Sequence, residues 1–190
     1  LPLAVSDNAD VTVLGYAGIN PVAGGSASSG DVSGGVAIAQ ATVYSSLEDA
    51  GYKLNPTVKE FYEKQVSEEK TSDLAIAEDF TAAAETDEWK EALGTYNDAA
   101  FVVISGGAGE IGANGRTHAL QLDKEQYALI DYAAANFEKV VVLLNSCIPL
   151  EVKQIQENEN VDAILMIGEG GDNGFAVIGE ILCGETSPSG

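Results

Sequence analysis

The chain has 190 residues, 45% of them apolar, with 30 acidic against 9 basic side chains and a net charge of −21. That length and apolar content suit one sizeable domain with its own core and exclude an intrinsically disordered chain. The acidic excess argues against nucleic-acid binding and against docking on anionic membranes, because both need basic patches.

Val11 to Tyr16 (VTVLGY) is a β-branched apolar run and predicts a first buried strand. A small-residue loop follows from Ala17 to Gly35, with Gly24-Gly25-Ser26-Ala27-Ser28-Ser29-Gly30-Asp31 at its centre. Val36, Ala39, Val43 and Leu47 have helical spacing, so Val36 to Ala50 reads as a helix closed by Gly51. Tyr52-Lys53-Leu54 reads as a short second strand, and Asn55-Pro56 as the start of a helix with proline in its first turn. Residues 66 to 90 are acidic and weakly patterned. They read as a surface excursion, with a helix from about Asp87 to Leu93 carrying Trp89. Acidic pairs such as Glu68-Glu69 and Asp87-Glu88 read as solvated surface.

Ala99 to Ile104 is the next buried strand. A helix is predicted over Asp123 to Phe137, a strand over Lys139 to Asn145 (KVVVLLN) and a helix from Pro149. The last pair is a strand over Ala163 to Gly168 and a helix over Phe175 to Cys183. Strands that are unbroken apolar runs, alternating with helices, predict an α/β fold: a single largely parallel sheet with helices on both faces. Ligands of such sheets sit at the carboxyl ends of the strands. That edge should carry Tyr16 to Asp31, Ser105 to Arg116, Asn145-Ser146 and Glu169 to Asn173.

Cys147 and Cys183 are too few and too far apart for a disulfide framework or a zinc cluster. Both are expected to be packed thiols, and no metal site is expected. No apolar run reaches the length of a membrane span, so no membrane contact is expected. Leu1 is not a start methionine and the chain closes on Ser187-Pro188-Ser189-Gly190, so the expectation is a domain cut from a longer polypeptide.

The segment richest in chemistry is Asp98 to Arg116, DAAFVVISGGAGEIGANGR. A buried strand runs into a glycine-rich loop that presents one carboxylate, Glu110. Two chemistries fit it. Gly107, Gly109 and Gly112 spell G-x-G-x-x-G after a strand, the dinucleotide fingerprint. Alternatively, Glu110 does acid/base work while the glycines let backbone approach a ligand closely. A plain turn is the bland alternative. Against the dinucleotide reading, the fingerprint should open a helix, whereas the glycines lead into Ala113-Asn114-Gly115-Arg116. The acid expected about 20 residues on should end a strand. Asp131 falls inside the predicted helix instead.

The order of segments resembles the second domain of glycoside hydrolase family 3, the β-glucosidase-like enzymes. The pieces that carry the resemblance are Leu1-Pro2-Leu3, GGSASSGDV (Gly24 to Val32), VVISGGAGEIG (Val102 to Gly112) and LDKEQYALI (Leu122 to Ile130). They continue with KVVVLLNS (Lys139 to Ser146), VDAILMIGEGGDNGFAVIGEILCGE (Val161 to Glu185) and the terminal SPSG. Together they cover nearly the whole of residues 1–190.

The resemblance implies a six-stranded α/β sandwich and a split active site. A (β/α)8 barrel of the same polypeptide, N-terminal to this chain, would supply an aspartate nucleophile. This domain would lend the acid/base glutamate. The family's loop usually reads S-G-E-G-x-D-R. This one reads Ala108-Gly109-Glu110-Ile111-Gly112-Ala113-Asn114, so Glu110 takes the acid/base position, the Asp-Arg is absent and Arg116 is displaced. Gly170-Gly171 stands where the family has Pro-Gly. Ser26, Ser28, Asp31 and Arg116 are the candidate substrate contacts; Glu169 and Asp172 are read as loop caps or rim groups. The substrate would be a β-linked glucoside or xyloside, with no cofactor. Two other readings stay open: a nucleotide-binding or flavodoxin-like module, and a sugar-binding remnant without catalysis.

Overall fold

Residues 8–24, 41–67, 80–106 and 120–188 are described in the computed structural model. They build one parallel sheet in the order β2-β1-β3-β4-β5. The strands are β1 (Asp10–Leu14), β2 (Lys53–Leu54), β3 (Ala99–Ser105), β4 (Val140–Asn145) and β5 (Ala163–Met166). Val11 pairs with Ala99, Ile104 with Leu144 and Leu144 with Met166.

The two-residue period of a strand divides each apolar run between two cores. Ala100, Val102 and Ile104 of β3 and Val140, Val142 and Leu144 of β4 face one cluster. Ala99, Phe101 and Val103, with Val141 and Leu143, face the other. The first face is covered by α2 (Pro56–Ser67), α3 (described over 80–84), α4 (Asp87–Thr95), α5 (Lys124–Asn136) and α6 (Lys153–Gln156). The second is covered by α1 (Val43–Asp49) and α7 (Ile178–Cys183). Burial on both faces is why β3 and β4 carry no polar residue before their last positions, Ser105 and Asn145.

Local chemistry sets the helix boundaries. Thr42 caps α1 through a reciprocal pair: Ser45 N–H donates to Thr42 Oγ1 at 3.0 Å, and Thr42 N–H donates to Ser45 Oγ at 2.9 Å. Gly51, at φ 91°, turns the chain into β2. Asn55 accepts from Val58 N–H at 3.2 Å ahead of Pro56. Helix α7 crosses α1 closely at Gly179, where an added Cβ would lie 2.3 Å from the Ser46 carbonyl oxygen. The Ser46 hydroxyl seals this crossing, accepting from Gly179 N–H at 2.8 Å and donating to the Ala176 carbonyl at 2.7 Å.

Several expectations are corrected. Among the described residues the sheet has five strands, not six. The five strands read from the sequence account for all of them. Helix α1 begins at Val43 rather than Val36, because Thr42 is extended and caps it; residues 36–40 lie outside the described residues. The helix expected from Pro149 is the single turn Lys153–Gln156. Proline 149 leaves the preceding residue disfavoured for helix and cannot donate a backbone hydrogen bond itself. The last helix opens with a 3-10 turn over Gly174–Val177.

The surface excursion is also corrected where it is described. Phe80, Ala84 and Trp89 are buried in the first core. Trp89 stands edge-on to Phe61 and Phe80, with ring centroids 5.1 and 5.5 Å apart. Cys147 is exposed rather than packed, because it follows β4 in a turn outside both cores. Cys183 is half-buried against the second core. Strand β5 is an edge strand and only partly covered, with Met166 54% exposed.

Candidate functional site

The winding of the chain places a crevice. From β1 the chain passes over one face to β2, through α1; from β2 onward it returns over the opposite face to β3, β4 and β5. The connections leaving the carboxyl ends of β1 and β3 therefore diverge to opposite faces. That divergence is the topological switch point at which open α/β sheets hold ligands. The two segments that the sequence singles out, after β1 and after β3, are the two that leave this point.

The base of the crevice is rigid. Gly15 ends β1 at φ 102°, and a Cβ there would lie 2.2 Å from the Val103 carbonyl oxygen of β3, so only glycine fits. Gly15 N–H donates to the Tyr62 hydroxyl at 2.9 Å, tying the strand end to α2. Gly106, after β3, lies so close to Ser146 that a Cβ would come within 2.1 Å of Ser146 Oγ. Its N–H donates to the Asn145 carbonyl at 3.0 Å. On α5, Gln126 Nε2 donates to the Ser105 carbonyl at 2.8 Å and so fixes the end of β3 from below.

Asn145 joins the connections across the crevice. It closes β4, is fully buried, and makes three side-chain bonds to backbone. Oδ1 accepts from Val22 N–H at 2.7 Å; Nδ2 donates to the Val22 carbonyl at 2.9 Å and to the Gly168 carbonyl at 2.7 Å. The segment after β1 is joined to the segment after β5 directly as well. Gly171 N–H donates to the Ala23 carbonyl at 2.8 Å, and Ala41 N–H to the Asp172 carbonyl at 3.2 Å. Glu169 Oε2 would lie 3.2 Å from a Cβ on Gly24, so its carboxylate rests on the rim against that glycine. Asn145 and Ser146 were placed on this edge by the sequence. The organising role of Asn145 was not, and its one signal is an amide ending an otherwise apolar strand.

The candidate catalytic residue Glu110 lies outside the described residues. So do the candidate substrate contacts Ser26, Ser28, Asp31 and Arg116. The described residues fix the ends from which their segments spring: Gly24 and Ala41 for the first, Gly106 and Leu120 for the second. No group of three or more potential metal ligands occurs among the described residues, and none of the described helices is long and apolar enough to cross a membrane.

Residues 1–190 match the family model described as the glycosyl hydrolase family 3 C-terminal domain. The chain belongs to that family. A search of curated proteins returned no significant match. Among solved structures, the family 3 chain is similar to a beta-glucosidase from Paenibacillus barengoltzii, at TM-score 0.74 and 21% identity over 99% of this chain and 21% of that one. It is similar to a beta-glucosidase from Listeria innocua in complex with glucose, at TM-score 0.63 and 20% identity over 100% of this chain and 23% of that one. It is also similar to a family 3 exo-beta-xylosidase in complex with a xylobiose aziridine probe, at TM-score 0.57 and 17% identity over 100% of this chain and 22% of that one. The chain thus spans between a fifth and a quarter of the length of these proteins, and identities this low carry the fold alone.

Proposed function

We propose that this chain is the domain of a retaining β-glycosidase that lends the acid/base carboxylate, Glu110, to an active site completed by a barrel domain of the same polypeptide. The substrate is a β-linked glucoside or xyloside, contacted on this side by Ser26, Ser28, Asp31 and Arg116. One observation carries the reading: the family match runs over residues 1–190, and Glu110 falls in the segment leaving β3 at the switch point. The chemistry is coherent with it. A retaining glycosidase needs two carboxyl groups about 5–5.5 Å apart, one a nucleophile and one an acid of raised pKa. Supplying the second from another domain explains why the segment around it is rich in glycine and carries a single acid.

The test is turnover of aryl β-glucosides and β-xylosides by the full-length polypeptide, and its loss in Glu110→Ala. This chain alone should fold cooperatively and hydrolyse nothing, since it holds one of the two carboxylates. Turnover by the chain alone would overturn the split site.

A flavodoxin-like reading has one observation in its favour: the strand order 2-1-3-4-5 is also that of flavin-binding α/β proteins. It predicts a thermal shift with FMN or NAD, worth about 2.7 kcal/mol at a hundredfold excess over Kd. The glycosidase reading predicts none.

A further inference from the structure

A second concavity lies on the same edge of the sheet, displaced from the switch point toward α6. It is a cleft of about 620 Å³ between the start of α5 and the segment 151–157, within the roughly 300–1,000 Å³ of ordinary ligand pockets. Its walls are polar: Gln121, Gln154, Glu151, Glu157 and Tyr127. Its apolar floor is small, made by Leu122 and Val152. The cleft is built on fixed parts. Glu151 N–H donates to the Leu120 carbonyl at 2.6 Å, which joins the segment after β4 to the end of the segment that carries Glu110. The first turn of α5 is locked by Gln126, which accepts from Asp123 N–H at 3.1 Å while donating to Ser105.

The lining selects among ligands. Two carboxylates face one ammonium, and that ammonium, Lys153, sits 3.6 Å from Glu157, so an anion is disfavoured. The apolar floor is too small for a lipid or an apolar peptide side-chain array. Two amides and two carboxylates offer donors and acceptors to hydroxyl groups, and the half-buried Tyr127, packed against the first core, adds its phenol to the lining. Burial first, and the Glu151 carboxylate second, raise the Tyr127 phenol above its ordinary value, so its hydroxyl stays protonated. Hydroxyls around a weakly apolar ring are the chemistry of a neutral sugar.

We propose that this cleft is an outer subsite that holds a neutral sugar unit of a β-linked oligosaccharide, through Gln121, Gln154 and Tyr127. The proposal rests on the glycosidase reading for its substrate class. It adds that this domain reads the substrate at a second place.

The experiment uses the full-length protein, wild type and Gln121→Ala/Gln154→Ala, with Tyr127→Ala as a second variant. Both glutamines are exposed, so their truncation leaves the fold intact. The ratio of kcat/KM for a pentasaccharide over an aryl glycoside should fall about threefold to tenfold, the loss that one or two hydrogen bonds produce. An unchanged ratio, including equal losses on both substrates with a lowered Tm, would mark the cleft as a packing surface and overturn the proposal. Electrophoresis through a gel containing soluble β-glucan or xylan gives an arm independent of turnover. Wild type should be retarded by one of them, and the variants retarded about threefold to tenfold less. Equal retardation, or none in wild type, would overturn the subsite even in an active enzyme. Absent turnover with variant-sensitive retardation would instead sink the glycosidase reading and leave the subsite standing.

Discussion

Asn145 grips Val22 by both ends of its amide: Oδ1 takes the Val22 N–H at 2.7 Å and Nδ2 gives to the Val22 carbonyl at 2.9 Å. This is the pairing a neighbouring strand would supply, provided instead by one side chain from 123 residues away. The spare Nδ2 hydrogen reaches Gly168, so one residue sets the spacing of the connections after β1 and β5. The rim of the crevice is therefore positioned by the rigid end of β4.

Replacing Asn145 by Leu should cost about 3 kcal/mol or more. It strands one N–H and two carbonyls in a partly buried place, each costing toward the low end of about 1–3 kcal/mol. Asn145→Asp keeps the size and the acceptor for Val22 N–H but points a carboxylate at two carbonyl oxygens. Burial and those dipoles would raise its pKa above that of the unfolded chain. A raised carboxyl pKa disfavours folding once the unfolded chain ionises, so the deficit is full at pH 7 and shrinks as pH falls toward about 4. Urea unfolding at pH 7 and pH 4.5 checks this. An Asp variant as stable as wild type at pH 7 would refute the bridging role.

Much of this fold is legible in the sequence because β3 and β4 are buried on both faces, and such strands can only be written as unbroken apolar runs. The burial of Phe80 and Trp89 is not legible. They are lone anchors in acidic helices, and their partners, Phe61 and Tyr132, come from other parts of the chain. The edge that forms the crevice follows from alternation of strands and helices alone. The role of Asn145 does not, because an amide bonding to backbone leaves no pattern in the residues it holds.

Two glycines should behave oppositely. Gly15→Ala forces a Cβ to 2.2 Å from the Val103 carbonyl oxygen at φ 102°, so it should destabilise by at least about 2 kcal/mol. Gly94→Ala lies within α4 and meets nothing within 4 Å, so it should stabilise by about 0.5–1 kcal/mol. Paired denaturant titrations decide it. A tolerated Gly15→Ala would mean that the close contact of β1 with β3 is not rigid.

Tyr44 predicts how the domain fails in base. It is buried beneath β1, and its hydroxyl donates to the Val13 carbonyl at 2.9 Å. Burial first, then Tyr62, Glu63 and Glu48, raise its phenol well above 10.0. The folded state then holds a proton that the unfolded state gives up, so stability is full below pH 10 and falls as pH rises beyond it. Tyr44→Phe should lose about 1 kcal/mol at pH 7 through the missing hydrogen bond. It should also show a shallower alkaline decline, with the rest left to Tyr127 and Tyr132, which are raised too. An unchanged alkaline slope in the Phe variant would refute this.

The sharpest test of the chemistry is how Glu110→Ala responds to the leaving group in the full-length enzyme. A general acid matters most when the departing oxygen is a poor leaving group, and proton donation contributes about 10²–10⁴-fold. Alkyl glycosides should therefore lose the most, and nitrophenyl glycosides should keep a nearly normal first step. Their second step should still slow, because the same carboxylate must then act as base toward water. Azide needs no base, so it should restore turnover and leave a glycosyl azide. Glu110→Gln, which keeps the shape but holds no transferable proton, should behave alike. Equal losses across leaving groups with no azide product would remove Glu110 from the reaction. The search would then move to Glu169, whose carboxylate rests on the rim against Gly24.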